Sequence, residues 1–117
     1  MLIREANNYA SLLGQLNRFE EAKALLRKTV PVAHRVLGAD NRLTLTLRAN
    51  YALALCRDAG ATLDDLREAL NTLEEIEPTA RRVFGGAHPA TTGIETSLRL
   101  ARAALLRARE TPSTGAA

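Results

Sequence analysis

The chain has 117 residues, a formal net charge of +3 and a 46% hydrophobic fraction in which only 3% of residues are aromatic. That length suits one domain, and the dominance of Ala, Leu, Arg and Glu is the composition of an all-helical protein. A single cysteine, Cys56, excludes an internal disulfide. No run is apolar enough for a membrane span, and the arginines lack the dense basic face or stacking aromatics that nucleic-acid binding uses.

The start, Met1 to Glu5, lacks the apolar core of a signal peptide, so the expected location is cytoplasmic. Helix one is expected over residues 2–15, with Ala6, Tyr9, Ala10, Leu13 and Leu16 as its apolar stripe and Gly14 and Asn17 at the turn. Helix two starts near Arg18, buries Phe19, Ala22, Leu26, Val30, Ala33 and Leu37, and stops at Gly38. Asp40 or Asn41 can cap helix three, residues 42–57, whose stripe is Leu47, Tyr51, Ala54 and Leu55. After a loop through Gly60, Thr62 and Asp65 form a capping box with Asp in place of Glu. Helix four then runs to Phe84 along Leu66, Ala69, Leu73, Ile76 and Ala80, and Gly85-Gly86 ends it. His88-Pro89 opens helix five, which continues to about Arg109 along Ile94, Leu98, Ala101, Leu105 and Ala108. Residues 1–110 form the domain, and 111–117, rich in Pro, Ser, Thr and Gly, read as a disordered tail.

The helices are an internal repeat. Asn8, Tyr9, Ala10 and Leu13 return 42 residues later as Asn50, Tyr51, Ala52 and Leu55. Ala22, Leu26, Pro31 and Ala33 return after 47 as Ala69, Leu73, Pro78 and Ala80. Helix five continues the 47-residue step from helix three, so the chain holds about two and a half units. A proline inside a helix costs ~3 kcal/mol, so Pro31 and Pro78 are expected either to kink both second helices or to break them.

Paired helices with Asn-Tyr-Ala in the first and Phe-Glu-Glu-Ala in the second resemble tetratricopeptide repeats. The closings Arg35-Val36-Leu37-Gly38 and Arg82-Val83-Phe84-Gly85, with Asp40 in one copy and His88-Pro89 in the other, are similar to the kinesin-light-chain type. The resemblance covers roughly residues 2–109. It implies an all-α fold of five helices, stacked as antiparallel hairpins in a right-handed superhelix whose first helices line a concave, peptide-binding groove. It does not extend to chaperone-type capture of a C-terminal carboxylate: the matching positions are Asn7, Ser11, Asn50, Gly93 and Ser97, and only Asn50 carries a suitable side chain.

Helical spacing places Arg4, Asn7, Ser11 and Gln15 on the groove face of helix one. Helix three is expected to add Thr46, Ala49, Leu53 and Arg57, and helix five Thr96, Leu100 and Ala103. Asn8 and Asn50 are expected to bond an adjacent helix or loop, and Asn7 to meet a ligand. The expected occupant is a short, extended, acidic peptide with an apolar anchor, bound without catalysis, cofactor or metal. His34, His88 and Cys56 do not converge on a ligand motif, and nothing near Cys56 marks a reactive thiol. The alternative is a structural or oligomerisation module or a fragment of a longer repeat array: Leu2, Ile3 and Leu12 lack a preceding helix to cover them, and such a patch is expected to serve self-association or stacking on another array.

Overall fold

Three helix starts and two helix stops fall where the sequence supplies a capping side chain or a glycine. In the computed structural model, which describes residues 2–110, α1 is Ile3–Gln15, α2 Phe19–Leu37, α3 Arg42–Arg57, α4 Leu63–Phe84 and α5 Pro89–Glu110. The described residues contain no strand, and the expected tail lies outside them. The Thr62 hydroxyl accepts from the Asp65 N–H at 3.1 Å while the Asp65 carboxylate accepts from the Thr62 N–H at 3.0 Å, completing the capping box of α4. Asn41 Oδ1 caps α3 by accepting from the Leu43 N–H at 2.8 Å. His88 Nδ1 does the same for α5, accepting from the Ala90 N–H at 3.0 Å. Gly38 and Gly85 end α2 and α4 at φ 92° and 99°, where a Cβ would be strained.

Neither proline breaks its helix. α2 runs unbroken through Pro31, and α4 through Pro78. Both prolines face solvent, as do Arg27 and Glu74, whose carbonyls lose their usual donor. Water can satisfy those carbonyls, which removes much of the reason to break the helix.

Consecutive helices pack against one another. In addition α1 meets α3 and α3 meets α5, whereas α2 and α4 stay apart. The expected stripes of α2, α4 and α5 bury Ala22, Leu26, Ala33, Leu66, Ala69, Leu73, Ile76, Ala80, Ile94, Leu98 and Ala101. In α1 only Ala6, Ala10 and Leu13 are buried; Tyr9 and Leu16, expected inside, are exposed, as is Leu37. Thr44, Leu45 and Ala52 of α3 are buried beyond its expected stripe. The cause is position: α3 lies between α2 and α4 and is therefore apolar on two faces rather than one.

The repeat is also a repeat of hydrogen bonds. Buried Thr44 Oγ1 donates to the Ala33 carbonyl at 3.3 Å, and buried Thr91 Oγ1 donates to the Ala80 carbonyl at 3.2 Å. The Gly38 N–H donates to the His34 carbonyl and the Gly85 N–H to the Arg81 carbonyl, at 3.1 and 3.0 Å. The junction from α2 into α3 is thus the junction from α4 into α5, 47 residues on.

Candidate functional site

Between α1 and α3 lies a cleft of about 210 Å³, lined by Ser11, Gln15, Phe19, Asn50, Leu53 and Arg57 among others. A second, of about 190 Å³, lies between α3 and α5 and takes in Thr46, Ala49, Asn50, Leu53, Gly93 and Ser97. Asn50 and Leu53 belong to both, so the two clefts meet along α3. Where α1 and α3 begin, Arg4, Asn7, Arg42 and Thr46 border a third hollow of about 430 Å³. No acidic residue lines any of the three.

Most of the side chains expected at a groove are therefore gathered along α3. Arg4, Asn7, Ser11, Gln15, Thr46, Ala49, Leu53 and Arg57 each border at least one of these hollows. Thr96 and Leu100 border none of them. The Thr96 hydroxyl donates to the Thr92 carbonyl at 3.0 Å and accepts from Arg99 at 3.1 Å, and Leu100 is exposed. In their place α5 brings Gly93 and Ser97, which stand 47 residues after Thr46 and Asn50.

Asn7 does not stand free. Its Oδ1 accepts from Asn50 Nδ2 at 2.8 Å, so the two half-buried amides tie α1 to α3. The expectation of an interhelical bond holds for Asn50, while Asn8 is exposed. An amide pair of this kind still holds the N–H donors of Asn7 and the carbonyl acceptor of Asn50. Arg42, which spacing alone missed, lies with its guanidinium 5.2 Å from the centre of the Phe84 ring, close enough for a cation–π contact. The same ring stacks on His88 at 4.8 Å.

Titratable groups elsewhere serve packing. Tyr51 accepts from Arg27 Nε at 3.2 Å and donates to Glu68 at 3.1 Å, linking α2, α3 and α4. Burial pushes the Cys56 thiol up, which holds it in the unreactive form. Among the described residues no group of three or more His, Cys, Asp or Glu could hold a metal ion, and no helix is long and apolar enough to cross a membrane. Comparison with protein-family models, curated proteins and solved structures yields no match for this chain.

Proposed function

We propose that this chain is a non-catalytic, tetratricopeptide-type scaffold of the cytoplasm that binds a short, extended peptide along α3. The observation that carries the reading is the continuity of the two clefts at Asn50 and Leu53. Leu53 offers both clefts an apolar wall. The Asn7–Asn50 pair supplies a donor and an acceptor for one peptide group. Contacts of α1 with α3 and of α3 with α5, without any between α2 and α4, support a stack curved with its first helices inward. The hairpins then wind as a right-handed superhelix.

Charge selects the class of peptide. Arg57 stands at one end of the groove and Arg4 with Arg42 at the other, with no carboxylate between them. Guanidinium groups pair well with carboxylates, so an acidic peptide with one apolar anchor fits. Such exposed contacts weaken with salt. The test is fluorescence anisotropy with a library of acidic peptides carrying a single Leu or Phe. Arg4→Glu combined with Arg57→Glu should abolish binding of any hit while leaving the helical signal and melting temperature unchanged. A hit held equally tightly by that double variant overturns the assignment.

A further inference from the structure

One face of α1 is left open, and the internal repeat identifies it. In α3 the residues Thr44, Leu47, Tyr51 and Ala54 pack on α2: Thr44 bonds the Ala33 carbonyl, Leu47 and Tyr51 join Leu26 and Ala33, and Ala54 joins Ala22. Their counterparts in α5, Thr91, Ile94, Leu98 and Ala101, are buried, the last three in the cluster with Ala69, Leu73 and Ala80 of α4. Their counterparts in α1 are Leu2, Glu5, Tyr9 and Leu12. Here the same face is bare: Leu2 is 70% exposed, Tyr9 43% and Leu12 48%, with Leu16 at 55% one turn on. The four on α1 and its two caps are the largest group among the nine large apolar side chains exposed in the described residues. Concentration of such residues on one face marks an interaction surface.

The other end of the stack cannot receive it. In α3, Leu45, Ala52 and Leu55 belong to the cluster built with Ala69, Leu73 and Ile76 of α4. Their counterparts in α5 are Thr92, Arg99 and Arg102, and Arg102 is paired with Glu74 at 3.4 Å. Head-to-tail stacking would set the α1 leucines on guanidinium groups. The stripe on α1 is instead suited to itself. Residues 2, 5, 9, 12 and 16 alternate in steps of three and four, the seam of a coiled coil. In an antiparallel pair with Tyr9 on Leu12 of the partner subunit, the stripe's one charge, Glu5, comes to the end of the partner helix rather than its middle; Arg18, just beyond that end, is held within its own chain by Glu21 at 2.7 Å.

We propose that a second copy of this chain docks on this face, α1 antiparallel to α1, giving a closed twofold dimer. The face is separate from the groove along α3, so the proposal stands or falls independently of the peptide. The test is sedimentation equilibrium of the full chain from micromolar to near-millimolar concentration. A monomer–dimer equilibrium with no larger species is expected. Leu12→Glu and Tyr9→Glu should each weaken it by roughly tenfold or more, as a charge buried without a partner does, and leave circular dichroism unchanged because both side chains are already exposed. Leu100→Glu, on α5, should leave the equilibrium alone. A monomer at every concentration, open-ended assembly, or a dimer indifferent to Leu12→Glu overturns the proposal. So does a monomer that captures a synthetic peptide of sequence 63–84 on this face, which would assign it to a foreign helix.

Discussion

Lys23 is the most deeply buried charged side chain of the described residues, 4% exposed. Its ammonium donates to Glu20 at 2.7 Å and to Asp58 at 2.8 Å, tying α2 to the loop that follows α3. Burial lowers the Lys23 pKa, but the hydrogen bonds to Asp58 and Glu20 outweigh it and the net direction is up. The bond from Lys23, then that from the Gly60 N–H, hold the Asp58 carboxyl down at about 2. In the unfolded chain an aspartate titrates at about 3.9. The folded value is the lower one, so the pair stabilises fully above the unfolded value and loses its contribution as pH falls through the folded one. Asp58→Asn should therefore lower the urea midpoint at neutral pH, and the gap from wild type should close as the solution is acidified towards pH 2. A gap that does not depend on pH would mean the carboxylate is not the stabilising element. None of this was legible beforehand: the periodicity of α2 says which face is inside, but Asp58 reaches Lys23 from 35 residues away.

At the scale of the element the sequence was more explicit. Caps, glycine stops and the apolar period placed every helix within a residue or two, because those signals are local and each acts on its own turn of backbone. What misled was the assumption of one buried face per helix. α3 buries two, and α1 has a face that only its register marks as a packing face. The two junctions offer a direct check on equivalence. Thr44→Val and Thr91→Val each remove one buried hydroxyl-to-carbonyl bond while keeping the volume, which costs about 1 kcal/mol. Chemical denaturation should show the two losses equal within error. A marked inequality would mean that the junctions, alike in geometry, differ in load. Of the two outcomes expected at Pro31 and Pro78, the break does not occur: each lies on a solvated face of an unbroken helix.

For the whole molecule, helical spacing picked out side chains that border the clefts on α1 and α3 but not on α5. On α3, Thr46, Ala49, Leu53 and Arg57 all border the clefts. On α5, Gly93 and Ser97 border the cleft and Thr96 and Leu100 do not, because the counterparts of Thr46 and Asn50, 47 residues on, rather than those of Ala49 and Leu53, are the side chains that face α3. The identity of the two junctions has a practical consequence. Residues 42–88 begin just after one capping side chain, Asn41, and end with its counterpart, His88. That 47-residue block is a cassette. Inserted a second time after His88, it would meet α4 with the face of α3 that already fits α2, and it would offer α5 a fresh α4 to rest on. Each added block should lengthen the rod beyond the present 48 Å long axis, raise helical ellipticity in proportion and raise the melting temperature, as neighbour-by-neighbour stacking requires. Small-angle scattering and thermal melts of one-, two- and three-block chains would read this out, and a chain that gained residues without gaining length would show that the joint does not propagate.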